Sequence, residues 1–357
     1  MEPRTARYFL GANSARGFSS LYDSFQDPAG GEVLHVIKGS PGCGKSTLMR
    51  RFGAAAEAAG LPVEYIHCSG DPDSLDGVRL PTRGLAYVDG TAPHVIEARY
   101  PGAAGVYLDL SRFLDQEALR PLLPELSALQ RRYKALYDLA YRQLAAAAAL
   151  LPRNHPALQD PEAAEQARRR ASSLARRALP PLEQQGGTVH RFLSAVSCQG
   201  YVTLKETLES YGRRCILEND LGLGRVYLEA LAAAAQTRGY QTVLCHDPLE
   251  PEKPEALLLP EADLALLAVD RTLSGDPIAA RHVRLDALAD AELLRRERRT
   301  LKESRRQAAQ MFAAAVETLA RAKALHDELE ALYRPHVDFT GVEAATEEQV
   351  SLVRDLS

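Results

Sequence analysis

Gly39-Ser40-Pro41-Gly42-Cys43-Gly44-Lys45-Ser46 lies between an apolar run, Val33-Leu34-His35-Val36-Ile37, and a segment with Leu48, Met49 and Phe52 on one helical side. The octet fits G-x-x-x-x-G-K-[ST] at every fixed position, with a strand before it and a helix after it. Each part has a physical task. Glycines let backbone N–H groups turn inward around anionic oxygens. The first turn of the helix adds unpaired N–H donors and the positive end of its dipole. Lys45 offers a mobile charge to the β- and γ-phosphates, and the Ser46 hydroxyl is a hard ligand suited to Mg²⁺. The chain has only seven lysines among its 43 basic residues, so a lysine here is not a random basic choice. The expected nucleotide-binding set is Gly39, Ser40, Pro41, Gly42, Cys43, Gly44, Lys45, Ser46 and Thr47. The bland alternative is a glycine-rich strand–helix turn with no ligand.

The chain repeats itself around this loop. YFLGANSARGFSSLYDSF at 8–25 meets RFLSAVSCQGYVTLKETL at 191–208. VIKGSPGCGKSTLM then meets ILENDLGLGRVYLE, and Gly60, His67, Pro72, Leu80 and Pro81 face Gly239, His246, Pro251, Leu259 and Pro260. Asp89 faces Asp270 with a slip of two residues. Order and spacing persist over about a hundred residues, which indicates duplication. The second loop is degenerate: Asn219, Arg225 and Val226 replace Gly39, Lys45 and Ser46. Valine cannot ligate magnesium, and a guanidinium is a planar fork where a compact ammonium stood. Repeat two therefore reads as a structural or regulatory module.

Other candidates for chemistry cluster in the first half. Gly84–Val88 is an apolar run ending in Asp89, the form of an acid that holds magnesium directly or through water. Gly90 follows it, so the adjacent glutamate of many ATPase motors is missing and another group must activate water. His94 is the first candidate for that, or for touching the γ-phosphate; Glu97 lies nearby. Asp71, Asp73 and Asp76 leave the end of the strand Val63–Cys68, on the rim where α/β proteins bind ligands. They are candidates for a base or for orienting an acceptor hydroxyl, against a turn-and-cap role. His67 reads as a packing residue, because its partner His246 belongs to the half that has lost its chemistry.

The expected fold is α/β: duplicated P-loop NTPase-like domains with mainly parallel sheets, each followed by a long α-helical hairpin. The expected division is 1–112 for the intact module, 113–185 for a hairpin, 186–286 for the degenerate module and 287–357 for a second hairpin. Strands are expected at Arg7–Leu10, Val33–Ile37, Val63–Cys68, Gly84–Val88 and Val106–Leu108, and a helix over Ser46–Ala59. A long helix should run from Pro124 to Leu151 and another from Asp160 to Leu179. Asp290–Tyr333 reads as one helical run with an apolar stripe seven apart, and Glu347–Leu356 as a final helix.

Composition narrows the class further. The 357 residues are 46% hydrophobic and 25% charged with net charge -4, ordinary for a globular protein and without a basic field for nucleic acid. The arginine clusters at 168–170, 176–177, 295–299 and 305–306 lie on helices without interleaved aromatics, so they read as solvated faces. Nucleic acid is thus a disfavoured partner, and the long helices are the expected surface for any protein partner. No apolar stretch reaches the length of a membrane span, and no signal peptide is read at the N-terminus. Five cysteines without a CxxC pair argue against a disulfide framework and for a cytoplasmic protein. The absence of N-K-x-D, L-S-G-G-Q and D-E-x-D argues against a small GTPase, a transporter ATPase and a helicase.

Tyr8-Phe9-Leu10-Gly11, Gly17–Ser24, the glycine loop, Ile66-His67-Cys68-Ser69, Asp73–Val78 and Asp89-Gly90-Thr91-Ala92-Pro93-His94-Val95-Ile96-Glu97 resemble the bacterial tandem P-loop ATPases that carry only an "ATP-binding protein" label. The resemblance spans nearly the whole chain and implies two P-loop modules and ATP binding. It implies no substrate. The chain departs where that family's second module usually keeps its own Walker motif. The functional expectation is Mg²⁺-dependent ATP hydrolysis at the first loop. The alternatives are a small-molecule or nucleotide kinase using the acids 71–76, and a non-catalytic nucleotide-sensing scaffold.

Overall fold

The computed structural model describes residues 4–26, 31–91, 96–275 and 277–354. The first half contributes β1 (Ala6–Phe9), the hairpin β2 (Gly11–Ser14) and β3 (Gly17–Ser20), then β4 (Val33–Lys38), α1 (Lys45–Ala58), β5 (Glu64–His67), β6 (Leu75–Leu80), β7 (Leu85–Asp89) and β8 (Gly105–Asp109). A short α2 (Gln116–Leu119) leads into α3 (Leu123–Leu150) and α4 (Pro161–Ala178). The second half contributes β9 (Thr188–Arg191), the hairpin β10 (Ser194–Ser197) and β11 (Gly200–Thr203), α5 (Lys205–Glu209), β12 (Arg213–Glu218), α6 (Leu223–Thr237), β13 (Thr242–His246), β14 (Pro254–Leu259), β15 (Leu264–Val269) and β16 (Arg281–Val283). It ends with α7 (Ala291–Arg296), α8 (Arg298–Tyr333) and α9 (Phe339–Arg354).

Both six-stranded sheets run in the same order, β1-β5-β6-β7-β4-β8 and β9-β13-β14-β15-β12-β16. In each, only the third strand is antiparallel to its neighbours. A register shift falls between Ile66 and His67 in one sheet and between Cys245 and His246 in the other. The repeat in the sequence thus has a strand-for-strand counterpart. The halves meet where Phe9 and Phe192 exchange backbone hydrogen bonds of 2.9 and 3.0 Å. Phe9, Phe192, Leu10 and Leu193 are fully buried in one core shared by both sheets.

The antiparallel strands β6 and β14 escaped sequence reading. Leu75-Asp76-Gly77-Val78-Arg79-Leu80 carries two charges and a glycine, poor strand material. Tertiary partners compensate: the Tyr22 hydroxyl donates to Asp76 at 2.9 Å, and Arg79 bridges Glu32 and Glu64 at 2.5 and 3.3 Å. Asp76 therefore belongs to a strand and not to the acidic loop assigned from the sequence.

The helices correct a second expectation. Neither half closes with its own hairpin. The long helices α3 and α8, one from each half, make the most extensive helix contact in the molecule. Ala140, Leu144 and Ala147 of α3 share a buried cluster with Ala308, Phe312, Ala315 and Leu319 of α8. The seven-residue stripe on α8 is real, and what it meets is the other repeat's helix. The shorter helices are exchanged as well, for α4 packs on α6 and α9 packs on α1. Ala163, Ala167, Ala171 and Ala175 form an alanine stripe on α4, each at most 1% exposed, so its backbone approaches α6 closely. On α9, Val342, Ala345 and Val353 join the core under the glycine loop. The final helix begins at Phe339, earlier than the sequence suggested, and Asp290–Tyr333 breaks at Glu297 into α7 and α8. No helix among the described residues is long and apolar enough to cross a membrane.

Candidate functional site

Between the end of β4 and the start of α1 the chain twice enters the left-handed region, at Gly42 (φ 71°) and Gly44 (φ 98°). L-residues with a Cβ resist that conformation. Space is short too. A Cβ on Gly42 would lie 3.3 Å from Cβ of Glu330, and one on Gly44 would lie 3.1 Å from Cγ1 of Val342. Inside the loop Lys45 is 8% exposed. Its Nζ donates to the carbonyls of Gly39 (3.1 Å) and Ser40 (2.8 Å) and stands 3.6 Å from Oδ2 of Asp89. The Ser46 hydroxyl oxygen accepts the Leu75 N–H at 3.0 Å, tying α1 to the start of β6.

Asp89 ends β7, which pairs directly with β4 and sets Asp89 opposite Ile37. Its Oδ1 accepts from the backbone N–H and the hydroxyl of Thr91, at 2.9 and 2.6 Å. Burial lifts its carboxyl above the ordinary range; Lys45 pulls it down and nearby Asp76 pushes it up. A cation between Ser46 and Asp89 would relieve that penalty. The donors fit magnesium, which takes one or two protein oxygens and completes its shell with phosphates and water. No group of three or more His, Cys, Asp or Glu among the described residues is arranged to hold a metal unaided.

The three candidate acids separate. Asp76 is buried on the cleft floor next to Asp89. Asp71 and Asp73 stand on the rim and are tied to the other half: Lys323 of α8 lies 3.4 Å from Asp71, and Gln199 of the β10–β11 turn donates to Asp73 at 2.8 Å. His67 holds the turn, its Nδ1 2.7 Å from the Pro72 carbonyl and its Nε2 3.2 Å from Arg7, and burial lowers its pKa. It does not line the cleft. His94 lies outside the described residues. The Glu97 carboxylate points to Lys38 and to the Tyr107 hydroxyl.

The far wall of the cleft comes from the helices and was not anticipated. Tyr133 of α3, His326 and Glu330 of α8, Arg334 just beyond it, and Phe339 opening α9 face the loop across a cavity of about 480 Å³. The Tyr133 and His326 rings are 5.7 Å apart, and His326 Nδ1 lies 3.5 Å from Glu330. The sequence held one usable signal. His326, Glu330 and Arg334 recur every four residues, which sets them on one side of the helical run.

The counterpart loop has a different backbone. Gly222 is left-handed (φ 80°), but α6 begins at Leu223, so Gly224, the partner of Gly44, is already helical. Arg225, in place of Lys45, bonds Asp247 at 3.2 Å and also Glu250. Arg153, from the turn after α3, enters the same place. It meets Asp247 at 2.8 Å, Glu250 at 2.9 Å and Asp270, the partner of Asp89, at 3.4 Å. Arg153 is 5% exposed. Two guanidinium groups thus occupy the acids that would face a metal.

No family model, no curated protein and no solved structure matches the chain. The likeness to the tandem ATPases rests on the residues quoted for it.

Proposed function

We propose that the first half is a P-loop module that binds MgATP and hydrolyses it, and that the second is a pseudo-site whose own side chains fill it. The observation that carries this reading is the open loop with two left-handed glycines around Lys45, set 3.6 Å from the part-buried Asp89. Phosphate oxygens replace the Gly39 and Ser40 carbonyls as partners of Lys45, while loop N–H groups take the remaining anionic oxygens. Asp89 and the Ser46 hydroxyl hold Mg²⁺, which supplies charge neutralisation at the transferring phosphoryl group.

A second reading, phosphoryl transfer to an acceptor hydroxyl, is favoured by one observation. Buried Asp76 lies on the cleft floor next to Asp89, where a base for an acceptor belongs. Asp71 and Asp73 are already tied to Lys323 and Gln199. Five free cysteines suit a reducing compartment, and we place the protein in the cytoplasm. A protein partner would meet the polar sides of α3 and α8, since their apolar stripes cover each other.

The deciding experiment uses γ-labelled ATP with and without a metabolite pool. Free phosphate in both arms supports hydrolysis, and a labelled compound in the second arm only supports a kinase. ATP binding with neither product supports a nucleotide-sensing scaffold. Lys45→Ala should abolish tight binding in all three cases; a Lys45→Ala protein that binds MgATP like the parent ends the P-loop reading.

A further inference from the structure

The cleft has two chemically distinct ends. Ser46, Asp76 and Asp89 form one, an oxygen-rich floor for metal and terminal phosphate. Helix α8 crosses from that end to the other. Lys323 pairs with Asp71, Glu330 lies over Gly42, and the chain then reaches Arg334 and the first turn of α9. That turn sits on the α1 side of the loop: Val342 comes within 3.1 Å of a Cβ built on Gly44, and Arg51 of α1 bonds Glu343 at 2.5 Å.

Phe339 opens this turn. It is 42% exposed, and among the exposed large apolar side chains it is the one that lines the loop cleft. The Arg334 guanidinium lies 5.8 Å from the centre of its ring and has no carboxylate partner among the described residues. Starting the helix does not require the aromatic. Asp338 caps α9 by accepting from the N–H groups of Thr340 and Gly341, as Asp160 caps α4 by accepting from Glu162 and Ala163. The residue after the cap is Pro161 in the filled half, the ordinary choice for a first helical position, and Phe339 in the open half. The aromatic therefore stands only where the loop keeps its lysine and serine.

We infer that Phe339, flanked by Arg334, is the shelf on which the nucleobase stacks once the loop holds the phosphates. This rests on the P-loop reading and adds where the base goes and how it is read. Every base has a π-face, so a stacking shelf grips ATP and GTP alike. The acid end holds the terminal phosphate, and the base leaves over α1 toward the lip.

The chain contains no tryptophan, so Phe339→Trp places a single indole on the shelf. Its fluorescence should be quenched by MgATP and unchanged by magnesium tripolyphosphate, which has the phosphates and no base. Phe339→Ala should weaken MgATP and MgGTP alike, by about tenfold, through loss of stacking. Tripolyphosphate should bind the variant and the parent equally. An indole unmoved by MgATP, or equal loss of ATP and tripolyphosphate in Phe339→Ala, overturns the shelf. Lys45→Ala separates the two ideas. If it retains parental MgATP binding, the loop reading fails; if it loses ATP and tripolyphosphate together while the Phe339 variants behave like the parent, only the shelf fails.

Discussion

The stretches Gly39–Ser46 and Asn219–Val226 descend from one pattern and differ in who supplies the positive charge. In the first, a single lysine leans on two backbone carbonyls, partners that a phosphate can displace. In the second, Arg225 and Arg153 are locked into the buried Asp247 and Asp270 and the part-buried Glu250, carboxylates that no anion would displace. The backbone follows the same division. The first loop holds its second left-handed glycine and stays open, whereas α6 starts early and draws Gly224 into the helix. On the proposed reading, ion pairs fill the second loop where a ligand would otherwise sit, with the surrounding sheet left intact.

The largest expected effect tests that internal closure. Arg153→Ala leaves three carboxylates facing a half-neutralised pocket and should cost about 3–5 kcal/mol of stability in urea unfolding. Arg334→Ala, at the mouth of the open cleft, should change stability by less than about 0.5 kcal/mol. Equal costs would erase the distinction between a filled and an open site.

Asp89→Asn comes next. Turnover should fall on the order of 100-fold, because the metal mainly offsets charge that develops during transfer, while nucleotide affinity changes only a few-fold. The variant without nucleotide should also melt higher than the parent at neutral pH, since burial penalises the Asp89 charge. Unaltered turnover would remove Asp89 from the metal site.

Glu255, the partner of Asp76, gives a smaller effect with a defined sign. Burial raises its pKa from 4.5 to about 8, against hydrogen bonds from Ser194 and Tyr201 that lower it. The folded state then keeps a proton that the unfolded chain has lost. Its share of stability is complete below the unfolded value and declines as pH rises toward about 8. Glu255→Gln should flatten that decline and raise the melting temperature at pH near 9 by a few degrees. A decline of the same size in the variant would assign it to another group.

The smallest expected effect is none. Arg225→Lys with Val226→Ser restores the motif's letters, but Arg153 still holds Asp270 and Gly224 is still helical. Such a protein should show one nucleotide per chain in equilibrium dialysis, the same stoichiometry expected of the parent. A second bound nucleotide would mean that side-chain identity alone had silenced the loop.

The glycine loop, β4, α1, the duplication and the terminal acid of β7 were legible in the sequence because their determinants are local: left-handed glycines, a strand–helix alternation and one position at a strand end. The heptad stripe on α8 was legible too, yet its partner was not. A stripe of alanine and leucine states that something covers it and leaves open which helix does, so the exchange of α4 and α9 between the halves was settled by packing alone. The same holds for β6, whose charged residues favour a loop until Tyr22, Glu32 and Glu64 satisfy them. Tyr133, His326, Glu330, Arg334 and Phe339 face the loop only because α3, α8 and α9 return across it. Local chemistry determined where the glycine loop and its lysine stand in this chain. Long-range packing, which no short-range pattern encodes, decided what surrounds it and which of the two loops stayed open.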